Sequence, residues 1–365
     1  MKKQFSSRFI RQLFSADLPR SRLLSAVLLL IFIGLALAPF ITSGARPLNT
    51  AATICVYVIL VASYDLLLGY TGIVSFAHTM FFGIGAYGIG LSLSDNGPYW
   101  WVALTGLIVA LLLTIVLALI VGLFALRVRA IFYSMITLAV ASSFAVLASQ
   151  LSDFTGGEDG KTFGVPALLS PAFRLFETEI FGRVVDGKVV TYYIVFFSSV
   201  VLFLFLLRVV NSPFGRVLQA IRENEFRAEA LGYRTVLYRV LANCLAALIA
   251  ALAGGLMALW LRYVGPKTML SFDVMTDILL IVVIGGMGTM YGSVVGATLF
   301  IIAQNYLKSL MAQASTSLLG VPLLAQALHP DRWMLWLGVL FILSVYFFPA
   351  GIVGKLRGNR LSENP

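Results

Sequence analysis

The chain has 365 residues, of which 60% are hydrophobic and only 12% charged, against about 25% charged in soluble globular domains. That excludes a water-soluble fold and makes the bilayer the solvent for the core. The net charge of +10 would suggest nucleic acid in a soluble protein; here basic segments gathered on one side of a membrane explain it, so no nucleic-acid partner is inferred.

Residues 1–22 carry Lys2, Lys3, Arg8, Arg11, Arg20 and Arg22 against a single acid, Asp17, and read as a basic cytoplasmic tail. A transmembrane domain is expected over 23–350. Its first span is 23–41. Ala36, Leu37 and Ala38 imitate a signal-peptidase site, but the apolar run is span-length and Pro39 follows, so cleavage is not expected. A second span covers 51–68, Gly69-Tyr70-Thr71-Gly72 interrupts it, and a third covers 73–93. Spans at 101–126 and 131–151 flank Arg127 and Arg129. A polar loop over 152–191 holds Asp153, Glu158, Asp159, Glu177, Glu179 and Asp186. A sixth span, 192–207, leads into the polar stretch 208–239, and a seventh covers 240–263. Residues 269–284 form a doubtful eighth span because Asp273 and Asp277 interrupt its apolar run. The sequence Gly285-Gly286-Met287-Gly288 separates it from a ninth at 292–308. A loop over 309–331 has room for a short interfacial helix. The tenth span is 333–348, and residues 351–365 are a tail with Lys355, Arg357 and Arg360.

The fold class expected is therefore an all-α polytopic membrane protein with about ten transmembrane helices. With ten spans and both termini cytoplasmic, 17 of the 26 Lys and Arg fall on the inside, as the positive-inside rule requires.

The stretch 208–239 is the longest polar interruption that still reads as helix. Ser212 suits an N-cap and Pro213 the first helical position. Phe214, Val217, Leu218 and Ile221 recur at helical spacing, with Arg216, Gln219, Arg222 and Glu223 off that face. Asn224 suits the cap of a second short helix, with Glu225, Phe226, Ala228, Glu229, Ala230 and Leu231, and Gly232 stands where helices stop in a left-handed turn. Two readings fit: an amphipathic element lying on the membrane surface, or a docking element for a soluble partner.

Small residues crowd 69–88, with Gly69, Gly72, Ser75, Gly83 and Gly85, and 285–296, with Gly285, Gly286, Gly288, Gly292 and Gly296. Glycine in a span serves close helix packing or a broken helix that lines a path. His78 is an intramembrane ionisable group, read either as a path residue or as a neutral imidazole hydrogen-bonded to backbone. Asp65, Asp273 and Asp277 are placed near span ends, where hydration is cheap. Residues 155–162 end in Gly160-Lys161-Thr162 like a phosphate loop, but Thr155 occupies the position of the required first glycine, so nucleotide binding is not expected. Cys55 and Cys244 lie in apolar runs and suggest no disulfide; His78 and His329 are far apart, so no metal site or cofactor is inferred. No nucleophile–base pair appears, which argues against an enzyme.

The run SPFGRVLQAIRENEFRAEALG resembles the cytoplasmic coupling loop of the branched-chain amino acid ABC transporter permeases of the LivM type, with Ala228, Glu229, Ala230 and Gly232 standing for their Ala-Glu-Ala…Gly signature. GYTGIVSFAHTMFFGIGAYG, the glycines from Gly285 to Gly296, and an outer-loop motif of Thr155, Gly156, Gly157, Gly160 and Pro166 resemble further patterns of the same family. The resemblance implies a permease of the type II importer kind in a bacterial inner membrane. It implies two cytoplasmic ATP-hydrolysing subunits docked on 208–239, a second related permease chain as heterodimer partner, and a periplasmic or extracellular substrate-binding protein. It also implies branched-chain or related amino acids as substrate. Arg216, Arg222, Glu223, Glu225 and Glu229 are then the expected docking charges, and Phe214, Leu218 and Phe226 the apolar anchors. Gly215 belongs to the same motif. An ion-driven secondary transporter and a non-transporting scaffold are the other two readings; the first predicts uptake without an ATPase, the second no flux.

Overall fold

The structure is a computed structural model that describes residues 21–41, 44–125, 130–174, 185–317, 329, 332–348 and 350–358. The expectations for residues 1–20, Arg127, Arg129, Glu177, Glu179, 318–328 and 359–365 lie outside the described residues.

Helix α1 (Arg22–Ile41) leads to α2 (Ala45–Thr71), which is the axis of the fold. From Thr50 onward almost every α2 side chain is buried, because the helix is apolar on all sides and other helices surround it. Helices α6 (Gly187–Val210) and α9 (Thr235–Leu261) pack against it on one side, α3 (His78–Asn96) and α4 (Trp100–Ala125) pack on α9, and α5 (Ala130–Gln150) packs on α3 and α4. Between α6 and α9 lie two short helices, α7 (Pro213–Glu223) and α8 (Glu225–Ala230). Helices α10 (Phe272–Gly285) and α11 (Met290–Ser317) cover the other side, followed by α12 (Trp333–Phe347) and α13 (Gly351–Gly358).

Nine of the described helical segments are long and apolar enough to cross a membrane. Helix α3, the expected third span, is not among those nine; it starts beside α2 at the Ser63–His78 contact and ends where Asp95 meets Lys161 on the opposite face. These nine follow the expected order, including two separate helices at 272–317. The eighth span, doubtful from its acids, is a well-formed helix: Ser271 caps it, its Oγ accepting from the Val274 N–H at 3.3 Å. Helix α11 runs through Ser317, so part of the stretch expected as a loop continues the span. The expected tail begins as α13, whose Val353 is fully buried against the bundle.

The third span departs most from expectation. It begins at His78, not at residue 73, because Gly72 ends α2 in a left-handed turn (φ 73°) and the chain runs on without helix to Ala77. Non-helical backbone inside a membrane needs partners from the protein. Helix α5 supplies them: Ser134 Oγ donates to the Val74 carbonyl at 2.8 Å, and the Phe76 amide donates to Thr137 Oγ1 at 3.1 Å. A similar repair holds α1 to α6. Pro39 has no N–H for the Leu35 carbonyl, and the Tyr192 hydroxyl donates to that carbonyl at 2.5 Å while Tyr193 serves Ala36 at 2.9 Å.

On the face opposite α7 and α8, Lys161–Thr162 pairs antiparallel with Tyr263–Val264. Arg262, in a left-handed conformation (φ 56°), donates from Nη2 to the Leu169 carbonyl at 2.9 Å. The motif that imitated a phosphate loop is thus structural: Thr155 Oγ1 donates to the Leu151 carbonyl at 2.8 Å, and Asp159 gives its carbonyl to the Tyr263 hydroxyl at 2.8 Å. Gly156, Gly157 and Gly160 occupy its turns, and Pro166 precedes a short helical turn at Ala167–Leu169.

Candidate functional site: a polar hairpin tied to two broken helices

Helices α7 and α8 form a hairpin whose stops and starts follow from four residues. Ser212 Oγ accepts from the Gly215 amide at 3.4 Å, with Pro213 in the first turn. Asn224 closes α7 and caps α8, accepting from the Arg227 amide at 2.9 Å. Gly232 (φ 90°) lets the chain turn into α9. Gly215, Leu218, Ile221 and Ala228 point inward. A Cβ on Gly215 would collide with the Val210 carbonyl, so glycine is what lets α7 lie against the end of α6.

The expected docking set divides in two. Leu218 is fully buried in the chain's own core. Phe214 stacks on Tyr238 with ring centroids 5.7 Å apart. Glu225 holds Arg239 through two bonds of 2.5 and 3.0 Å, and Glu229 accepts from Thr235 Oγ1 at 2.8 Å. These side chains fasten the hairpin to α9. Arg216, Gln219, Glu223, Phe226, Arg227 and Leu231 face outward, and Phe226 is 82% exposed.

Arg222 is exposed as well, but its guanidinium reaches back to the bundle. Its Nη1 donates to the carbonyl of Gly69, at the end of α2. Beside that bond, Asp65 Oδ1 accepts from the Gly288 amide at 2.8 Å, in the turn between α10 and α11. A Cβ on Gly69 would collide with both the Asp65 carboxyl and the Gly288 nitrogen. Gly72 faces the Arg222 side chain, and Gly286 lies against Gly351 at the start of α13. Three motifs far apart in sequence, 69–72, 212–232 and 285–288, therefore meet in one joint. Spacing alone carried no sign of it, because each partner sits on a different segment.

The remaining glycines are packing positions. A Cβ on Gly83 would strike Leu270, and one on Gly85 the Ala251 carbonyl of α9. Gly285, Gly292 and Gly296 bring α10 and α11 into backbone contact. His78 is buried and shares a 2.9 Å hydrogen bond with the Ser63 hydroxyl, edge-on to Tyr64. Ser75 is buried in the break after α2. Of the three acids expected near span ends, Asp273 lies exposed in the first turn of α10, as expected, and the other two differ. Asp65 is buried within the joint, and Asp277 sits part-way along α10, paired with Gln304 at 3.2 Å. Among the described residues no group of three His, Cys, Asp or Glu is placed to hold a metal.

A bundle of membrane-spanning helices with one polar hairpin tied to two helix breaks is a multi-pass membrane protein. Residues 46–345 match the family described as "Branched-chain amino acid transport system / permease component", and the chain belongs to that family. It is 26% identical over 331 residues to the LivM high-affinity branched-chain amino acid transport system permease proteins of Salmonella typhimurium and Escherichia coli, covering 87% of this chain and 72% of each relative. It is likewise 26% identical over 330 residues to a probable LivM permease of Methanocaldococcus jannaschii, covering 81% of this chain and 90% of the relative. No solved structure gives a significant match.

Proposed function

We propose that the chain is the path-forming permease subunit of an ATP-driven importer for branched-chain or related amino acids. The names of its relatives support the substrate class. The observation that carries the coupling is the hairpin: one face is fastened to the bundle through Arg222, Glu225 and Glu229, while the other presents exposed Phe226 and Leu231 with Arg216 and Glu223. Apolar side chains ringed by charge on an otherwise polar surface suit a protein partner. On this reading the α7–α8 face is cytoplasmic, two ATP-hydrolysing subunits seat on the hairpins of this chain and of a second related permease, and a binding protein delivers substrate to the face of the Lys161–Val264 strand pair. The membrane is the bacterial inner membrane, with both termini cytoplasmic.

Nucleotide-driven closure of the ATPase pair would push α7, and the joint would pass the push to α2 and to the α10–α11 turn. The test is purification from the native membrane followed by uptake in proteoliposomes. ATP-dependent leucine uptake by a complex containing an ATPase pair is the expected result. Uptake that needs no ATPase and is abolished by an uncoupler would establish the ion-driven alternative instead.

A further inference from the structure

The outward faces of the bundle differ in chemistry. Helix α4 exposes apolar side chains through its middle, such as Ile108, Leu112 and Val116. The face made by α2, α10 and α11 includes polar ones. Asp277 is five residues from Phe272 and eight from Gly285, the two ends of α10, about 8 Å and 12 Å along a helix, and so lies inside the span rather than at its tip. It is only half-buried. Its Oδ2 accepts from Gln304, while Oδ1 makes no hydrogen bond among the described residues. Tyr57 lies on α2, which packs against α10, and is more than nine-tenths buried. The Tyr57 hydroxyl lies within reach of the Asp277 charge and has no hydrogen-bond partner among the described residues. Thr53, one helical turn before Tyr57, and Thr276, the neighbour of Asp277, are both half-exposed.

An open carboxyl oxygen and an open phenol within membrane spans cannot face hydrocarbon without a large desolvation cost. They suit a surface that meets water and a zwitterion, the carboxyl accepting from an ammonium and the phenol donating to a carboxylate. We propose that the Tyr57–Asp277–Gln304 face is this chain's wall of the transport path and that Asp277 takes the ammonium end of the passing amino acid. This rests on the import reading above and adds to it the residues that meet the substrate.

The test uses the assembled complex in proteoliposomes, with Thr53→Cys, Thr276→Cys and, as a lipid-face control, Leu112→Cys. Labelled positions are mapped by mass spectrometry so that Cys55 and Cys244 are scored separately. A charged, water-soluble methanethiosulfonate should label positions 53 and 276 at least tenfold faster than position 112, and leucine should slow that labelling where 4-methylpentanoate, its analogue without the amino group, does not. Asp277→Asn should abolish the protection by leucine and Asp277→Glu should keep it. Failure of both cysteines to react in every nucleotide state, or labelling indifferent to leucine, would overturn the wall. ATP-driven leucine uptake by the unsubstituted complex is measured alongside: uptake without labelling removes this proposal alone, whereas labelling without uptake removes the import reading.

Discussion

The Arg222 guanidinium donates to the Gly69 carbonyl across 153 residues of sequence. Gly69 lies in the last turn of α2, where carbonyls have no partner within their own helix. A cation there also meets the negative end of the helix dipole. One side chain of the hairpin thus completes the axial helix of the bundle.

Arg222→Ala should uncouple the transporter without unfolding it. A hydrogen bond from a charged donor is worth about 1.5–3 kcal/mol, so uptake per ATP hydrolysed should fall about tenfold while ATPase subunits still co-purify. Arg222→Lys should recover part of it, since an ammonium keeps the charge but not the planar reach. Equal uptake-to-hydrolysis ratios in Arg222→Ala and the unsubstituted complex would remove the joint from the coupling route.

Gly69→Ala should act on stability first. The added methyl has backbone on one side and the Asp65 carboxyl on the other, and forced overpacking costs about 1–3 kcal/mol. The detergent-solubilised protein should lose thermal stability, read by aggregation temperature. Gly34→Ala in α1, where nothing lies within 4 Å of the new methyl, should not.

Phe226→Ala should leave folding untouched, because the ring is already in solvent. If it anchors the ATPase, co-purification should weaken by at least tenfold, the loss typical of a central interface aromatic. Undiminished recovery of the ATPase with Phe226→Ala would point to Leu231 and the charged rim as the contact instead.

Glu229→Lys breaks the bond to Thr235 and places a cation beside Arg234. Gly232→Pro demands a negative φ where the chain has 90°. Both should leave the protein in the membrane and stop uptake, measured in whole cells against quantified membrane levels. Gly232→Ala is the milder control: its methyl meets nothing within 4 Å, so only the left-handed backbone is penalised, by about 1 kcal/mol.

Local chemistry made much of this legible in the chain. Ser212, Pro213, Asn224 and Gly232 mark the hairpin because caps and turns are decided within a few residues. Spans announce themselves through apolar length. The break after α2 was visible at Gly69–Gly72, but its extent to Ala77 depends on Ser134 and Thr137 from another helix. Arg222 looked like a docking charge because it lies off the apolar face of α7; only the fold shows α2 ending within its reach. Asp277 looked like a span-end acid because charge counts fix which side a loop is on and say little about depth.

The strand pair between Lys161–Thr162 and Tyr263–Val264 joins the connection after α5 to the connection after α9. A thrust delivered at α7 therefore meets a bundle already pinned at its far end. On the coupling reading proposed above, the helices would pivot about that seam, a fulcrum against which a small displacement of the hairpin would become a wider swing elsewhere in the bundle.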